Sequence, residues 1–174
     1  KRGCQTIVMG IGGSATCDGG RGMIEALGDC RCLDMDCRVI VACDVNNPLF
    51  GKNGAAYVFA PQKGATPEQV ELLDGRLRAF AKETEQTGRA TPELALSPGA
   101  GAAGGLGYAL LAYLNAELHS GIDIMLDIAD FDAVIKDADL VITGEGKSDG
   151  QTLMGKVPHG VLKRCQEANV PVWL

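Results

Sequence analysis

Glycine clusters constrain this chain more than any other feature of its sequence. Glycine fills 24 of 174 positions, about twice its ordinary usage. These glycines stand in discrete groups, several directly after short apolar runs, rather than in a low-complexity tract. One group follows the apolar residues 6–11, a second fills residues 98–105, and a third surrounds Glu145. Because glycine lets a backbone approach a ligand closely, the pattern predicts several loops built for contact with a small molecule.

The apolar runs and the helical segments alternate along the chain. Residues 6–11, 38–43 and 139–143 are continuous apolar runs of strand length. Helical spacing or helix-start signals mark residues 66–84, 106–118 and 157–169, whereas residues 55–59 fit either a strand or a short helix. Strands that are apolar throughout and alternate with helices are typical of an α/β fold with a parallel or mixed sheet.

Composition excludes several classes of protein. The formal net charge is −6, which argues against a broad nucleic-acid surface. No run of 18 apolar residues is present, so the sequence predicts no membrane-spanning helix. The sequence has seven cysteines, an odd number, and most of them lie in or beside apolar runs. This pattern predicts reduced thiols and a cytoplasmic protein. We expect both ends of this sequence to lie inside a longer protein.

Acidic residues occupy the glycine-rich turns near predicted strand ends. Asp18 lies in the first turn, Asp44 follows the second strand, and Glu145 and Asp149 follow a later one. Ligands of open α/β sheets bind at the carboxyl ends of strands, and acids there hold Mg²⁺ or take a proton from a hydroxyl. Each acid alone also fits an ordinary polar loop. Together with glycine loops suited to phosphate, they predict phosphoryl transfer.

Basic and hydroxyl side chains complete the predicted site. Lys63 and Lys156 stand in polar turns, where either could offset phosphate charge or simply be solvated. Ser14 lacks the surroundings of a nucleophilic serine, so a hydrogen bond to a ligand is its predicted role. Residues 150–156 match a phosphate-binding P-loop except that Val157 stands where Ser or Thr is required.

At these residues the sequence resembles the bacterial glycerate kinase family. The motifs follow one another in the family's order and cover nearly the whole chain. They are residues 10–20 (GIGGSATCDGG), 42–49 (ACDVNNPL), 60–65 (APQKGA), 98–107 (PGAGAAGGLG), 140–146 (LVITGEG) and 155–160 (GKVPHG).

The resemblance implies ATP-dependent phosphorylation of D-glycerate at the 2-hydroxyl, with Mg²⁺. It also implies a two-domain architecture in which an α/β domain is inserted into a flavodoxin-like α/β domain, with the site in the cleft. Residues 1–137 would then form part of the inserted domain and residues 138–174 part of the flavodoxin-like one. Glycerate and the nucleotide are the implied partners.

The same resemblance suggests roles for individual residues. Asp44, Asp18 and Lys63 are the predicted catalytic residues, and Glu145 and Asp149 the predicted Mg²⁺ ligands. The residues predicted to bind substrate or phosphate are Gly12, Gly13, Ser14, Asn47, Gly101, Gly104 and Lys156.

The sequence also departs from the family's pattern. Family segments that precede and follow this stretch are missing, the region 28–38 is short, and Cys17 replaces a usual Asn. These departures leave open the activity of the chain alone. A non-catalytic nucleotide- or small-ligand-binding module, or a structural piece, remain alternatives. The hydroxy acid, 2- versus 3-phosphorylation and a homo-oligomeric state are also open.

Overall fold

The computed structural model describes residues 3–28, 37–145 and 157–174. The chain divides into two compact units, and the division falls between Leu118 and His119. The elements of the first unit are β1 (Thr6–Gly10), α1 (Arg21–Leu27), β2 (Arg38–Ala42), α2 (Ala55–Phe59), α3 (Pro67–Gln86) and α4 (Ala102–Leu114), with β3 (Glu117–His119) at the division. Two short 3-10 helices, Pro61–Lys63 and Pro92–Leu96, connect them.

The first unit contains a three-stranded sheet in the order β1-β2-β3. Strands β1 and β2 pair in parallel, with Thr6 opposite Arg38 and Gly10 opposite Ala42. Val39 and Val41 are buried in the central strand, where they pack with Ile11 and Leu110. The predicted parallel α/β arrangement is therefore confirmed, and the carboxyl ends of β1 and β2 lie side by side.

Helix α3 begins where its sequence predicts. The Thr66 hydroxyl accepts a hydrogen bond from the Gln69 backbone, and the Gln69 side chain accepts one from the Thr66 backbone. This capping box satisfies N–H groups that the first helical turn leaves unpaired. The apolar face of the helix places Leu77 and Phe80 against Tyr108 in the core of the first unit. Residues 55–59, which fitted either element, are helical because α2 packs its alanines into the same core.

Helix α4 starts with an unusual turn. Ala103, Gly104 and Gly105 all have a positive φ, of 53°, 73° and 95°. A Cβ atom added at Gly104 would lie 2.1 Å from the carbonyl oxygen of Thr16, so only glycine fits there. The backbone N–H of Gly19 donates to the Gly104 carbonyl at 3.0 Å. The second glycine-rich segment is therefore packed directly against the first.

The predicted extension of this helix to residue 118 is wrong. Helix α4 ends at Leu114 because Asn115 adopts a left-handed conformation with φ 48°, which stops helix propagation. The apolar residues that follow instead begin β3, and Glu117 forms an ion pair with Arg38 of β2. Pairing in the sheet thus replaces the last helical turn that the apolar pattern suggested.

The second unit is smaller. It consists of α5 (Gly121–Ile128), α6 (Phe131–Ile135), β4 (Val141–Ile142), α7 (Val157–Glu167) and β5 (Val172–Trp173), with β4 and β5 parallel. Leu126, Ile135, Val161 and Cys165 form its core. Arg164 of α7 binds both Asp127 and Asp132, which ties the three helices together. The division after Leu118 separates two compact units of this chain. It does not test the assignment of residues 1–137 and 138–174 to two family domains, which stays a prediction.

Candidate functional site

A cavity of about 270 Å³ opens at the carboxyl ends of the parallel strands β1 and β2. We name it the glycine cavity. Two strand-end loops, the turn that contains Lys63, and the start of α4 form its wall. The lining residues are Ile11, Gly12, Gly13, Ser14, Ala42, Cys43, Asp44, Val45, Phe59, Gln62, Lys63, Ala102, Ala103 and Gly104. Predicted site residues from four separate segments therefore meet in one place.

Lys63 is the cation of the glycine cavity. Its ammonium nitrogen donates to the Ser14 hydroxyl at 2.7 Å and to the Thr16 carbonyl at 2.6 Å. Lys63 ends the 3-10 helix that begins at Pro61, and Gly64, with φ 94°, reverses the chain directly after it. This turn aims the side chain at the first glycine-rich loop. Because both partners are neutral oxygens, the positive charge of Lys63 stays available to an anion.

Asp44 supplies the carboxylate of the same cavity. It follows the last residues of β2 and lies in the exposed loop at the end of the strand. Lys63 and Asp44 are the charged residues in the cavity wall. One ammonium and one carboxylate among backbone amides match a ligand that carries both an anionic group and a hydroxyl.

The left-handed turn of α4 supplies backbone to the cavity wall. Ala103 and Gly104 both line the cavity, and Ala103 has a φ of 53° although it is not glycine. A non-glycine residue in this region costs roughly 1–3 kcal/mol and tends to occur at functional sites. The hydrogen bond from the Gly19 backbone N–H to the Gly104 carbonyl holds this conformation in place. The turn lies directly before the regular part of α4, whose N-terminal end favours an anion through the helix dipole.

Three other predicted residues lie outside the cavity wall and stabilise the loops around it. The Asp18 carboxylate accepts hydrogen bonds at 3.1 Å from the backbones of both Gly20 and Gly22. The Asn47 side chain donates to the Asn53 carbonyl at 2.8 Å, and the Asn47 backbone carbonyl accepts from the Gly101 backbone N–H. A Cβ atom at Gly101 would lie 2.1 Å from the Pro48 carbonyl oxygen. Their roles in binding or catalysis stay predictions.

Of the two predicted metal ligands, Glu145 lies among the described residues and Asp149 does not. Glu145 follows β4 in the second unit, whereas Asp149 and Lys156 lie outside the described residues. Within the described ranges, no group of three His, Cys, Asp or Glu side chains is arranged to hold a metal. Mg²⁺ in phosphoryl-transfer sites is commonly held by one or two carboxylates together with substrate phosphates. One carboxylate, that of Asp44 or of Glu145, would be enough for that arrangement.

Sequence reasoning missed several residues of the cavity wall. Cys43 and Gln62 stand next to Asp44 and Lys63, so adjacency to a charged candidate was the available signal. The Cys43 thiol donates to the Val45 carbonyl at 3.3 Å. Burial raises its pKa above the ordinary thiol value, and the negative charge of Asp44 adds to the shift. All five described cysteines, including Cys43, are free thiols.

No described helix has the length and apolar character needed to cross a membrane.

Comparison with known proteins identifies the same family that the sequence motifs resemble. A sequence model of the Glycerate kinase family matches residues 1–36 and 29–174. The chain is 46% identical over 197 aligned positions to a glycerate kinase of Bacillus subtilis (strain 168), covering 98% of this chain and 51% of that protein. It is 42% identical to the glycerate 2-kinase of Escherichia coli (strain K12), with the same coverage of each protein.

A solved structure described as a glycerate kinase 2 of Salmonella typhimurium LT2 matches with a TM-score of 0.82 at 44% identity. The match covers 97% of this chain and 52% of that one. The chain thus spans about half the length of the curated relatives it matches. The agreement of sequence and backbone confirms the α/β architecture of these enzymes. This chain belongs to the glycerate kinase family.

Proposed function

We propose that the full-length protein transfers a phosphoryl group from ATP to the 2-hydroxyl of D-glycerate. Family membership supports the reaction class, and relatives named glycerate kinase and glycerate 2-kinase support the acceptor. The proposal concerns the full-length protein because this chain corresponds to about half of its relatives. Five free thiols among the described residues support a reducing, cytoplasmic compartment.

The observation that carries the proposal is the meeting of Lys63, Ser14 and Asp44 in the glycine cavity. A volume of about 270 Å³ lies just below the ~300–1,000 Å³ of sites for drug-sized ligands, so the cavity suits a small polar acceptor. Glycerate carries a carboxylate for Lys63 and the backbone amides, and a hydroxyl for Asp44. We place the acceptor in this cavity.

The proposed step conserves atoms and charge. The acceptor hydroxyl gives its proton to Asp44, its oxygen bonds to the γ-phosphorus, and the bond from that phosphorus to the β–γ bridging oxygen breaks. The products are ADP, phosphoglycerate and the proton on Asp44. Lys63 and the amides of the left-handed turn offset charge on the transferring group, which is the main catalytic need of such reactions.

The remaining predicted residues have supporting roles in this proposal. Asp18, Asn47 and Gly101 hold the loops in shape, and Gly12, Gly13 and Gly104 let the backbone approach the ligand. Glu145 and Asp149 would hold Mg²⁺ together with nucleotide phosphates, and Lys156 would offset phosphate charge. When bound, Mg²⁺ neutralises charge on the phosphates.

The test is an ADP-release assay with D-glycerate, ATP and Mg²⁺, run on this chain and on the full-length protein. We expect turnover by the full-length protein, with phosphorus NMR identifying the 2-phosphorylated product. A 3-phosphorylated product would overturn the assignment of the hydroxyl. ATP binding without ADP release by the full-length protein would instead support a non-catalytic binding module and overturn the proposal.

A further inference from the structure

A second, larger cavity also has Lys63 in its wall. It has a volume of about 410 Å³, and its wall includes Ala15 and Cys17 of the first glycine-rich loop and Leu72, Leu73 and Arg76 of α3. Lys63 lines both this cavity and the glycine cavity. Its volume falls within the ~300–1,000 Å³ of small-molecule sites. We name it the α3 cavity.

The wall of the α3 cavity combines cations with apolar surface. Lys63 and Arg76 line it, and no acidic side chain does. Among the described residues, Arg76 forms no ion pair. Other arginines there do pair with an acidic side chain, namely Arg21, Arg38, Arg78 and Arg164. Arg76 and Leu72 are four residues apart on one helix, so they share a face. An unpaired guanidinium beside apolar side chains suits an anion that also carries a flat apolar group.

Leu72 is the second unusual feature of this wall. It is 54% exposed although it is a large apolar residue, and it stands between the polar Glu71 and the cavity-lining Leu73 on α3. Its exposed surface adjoins the cavity rather than the core of the first unit. Ligand binding there would remove that apolar surface from water, which favours binding.

The position of Lys63 connects the two cavities. Its ammonium binds Ser14, which lines the glycine cavity, and the Thr16 carbonyl, which lies between Ala15 and Cys17 in the wall of the α3 cavity. A phosphoryl group that moves from donor to acceptor needs a positive charge near both oxygens. One lysine at the junction of two cavities meets that need.

We infer that the α3 cavity binds the nucleoside triphosphate, with its phosphates toward Lys63 and Arg76 and its base against Leu72 and Leu73. This inference rests on the proposed function, which requires a phosphoryl donor, and adds where that donor binds. The acceptor in the glycine cavity and the donor in the α3 cavity then both border Lys63.

The test measures equilibrium binding of ATP and of inorganic tripolyphosphate to the full-length protein by calorimetry, without turnover. Leu72→Ser is expected to weaken ATP binding about fivefold or more, from lost apolar contact, and to leave tripolyphosphate binding unchanged. Arg76→Gln is expected to weaken the binding of both ligands about tenfold or more, since it removes charge-assisted hydrogen bonds to phosphate oxygens.

Matched controls exclude general effects of the substitutions. Leu96→Ser alters a leucine of similar exposure outside the cavity, and Lys82→Gln alters an exposed cation farther along α3. Both should bind ATP as the unmodified protein does. The inference is overturned when Leu72→Ser and Arg76→Gln retain normal ATP affinity, when they weaken glycerate binding instead, or when the unmodified protein fails to bind ATP. If ATP binds as expected but no phosphoryl transfer to glycerate occurs, the inference stands and the proposed function fails.

Discussion

The ammonium nitrogen of Lys63 lies 2.7 Å from the hydroxyl oxygen of Ser14, across 49 residues of sequence. The same nitrogen lies 2.6 Å from the Thr16 carbonyl oxygen. These two hydrogen bonds join the turn before α3 to the loop after β1. They fix a positive charge at the carboxyl end of a parallel sheet, where α/β proteins commonly bind ligands.

Replacing Lys63 tests that charge directly. We expect Lys63→Met to lower kcat/KM of the full-length protein at least ~100-fold, because a preorganised donor at developing negative charge contributes about that much. Steady-state ADP release measures the effect. Lys82→Met, which removes an exposed cation elsewhere on α3, should leave kcat/KM unchanged. Full activity of Lys63→Met would contradict the role of Lys63.

Asp44→Asn tests the proposed base. The amide keeps the size of the carboxylate but does not take a proton, so kcat should fall at least ~100-fold. The exposed Glu71 of α3 provides a control, since Glu71→Gln removes one negative charge away from the glycine cavity. An unchanged kcat for Asp44→Asn would remove Asp44 from the mechanism.

Two glycine substitutions should change stability in opposite directions. Gly104→Ala places a Cβ atom 2.1 Å from the Thr16 carbonyl oxygen at φ 73°, and should lower the free energy of unfolding by at least ~2 kcal/mol from strain and overlap. Gly75 lies inside α3 with open space around it, so Gly75→Ala should raise that free energy by about 0.5–1 kcal/mol. Urea unfolding of the full-length protein measures both, and equal effects would contradict the tight packing at Gly104.

The thiols near the two cavities should react slowly with alkylating reagents. Burial raises the pKa of both Cys17 and Cys43, although Lys63 partly opposes the shift at Cys17. Since the thiolate is the reactive form, iodoacetamide should modify both more slowly than the exposed Cys4, as peptide mass spectrometry can measure. Rates equal to that of Cys4 would contradict this prediction.

The same shifts link stability to pH. A thiol whose pKa is higher in the folded state binds its proton more tightly there. The resulting contribution to stability is complete below the unfolded-state pKa and is lost as pH rises through the higher folded-state value. Unfolding midpoints of Cys17→Ala and Cys43→Ala should therefore depend less on alkaline pH than that of the unmodified protein. An unchanged alkaline dependence would contradict the shifts.

Local signals in the sequence were sufficient for most elements. Thr66 and Pro67 predicted the start of α3, and the apolar spacing along that helix predicted which side chains enter the core. The run before Gly12 predicted β1, and Asp44 was correctly expected at a strand end. These features depend on residues that are close in sequence, so the local sequence pattern predicts them.

Apolar patterns failed where a distant partner decided the conformation. The apolar pattern predicted one helix over residues 106–118. In the structure, Asn115 ends the helix and Glu117 forms an ion pair with Arg38. Asp18 was predicted to be catalytic and Asn47 to bind substrate or phosphate; both roles stay predictions, and both side chains hydrogen-bond backbone groups two to six residues along the chain. The Arg38–Glu117 ion pair joins residues far apart in sequence, which periodicity does not encode.

The sequence by itself determined the alternation of strands and helices, the glycine-rich loops and the family to which the chain belongs, because these follow from residue order and short-range propensity. Only the tertiary structure decided that Lys63 reaches Ser14, that Ala103 adopts a left-handed conformation against the first loop, and that one lysine lines two cavities. Those relationships join residues far apart in sequence. They form because packing of the core brings the loops together and makes each close approach sterically specific.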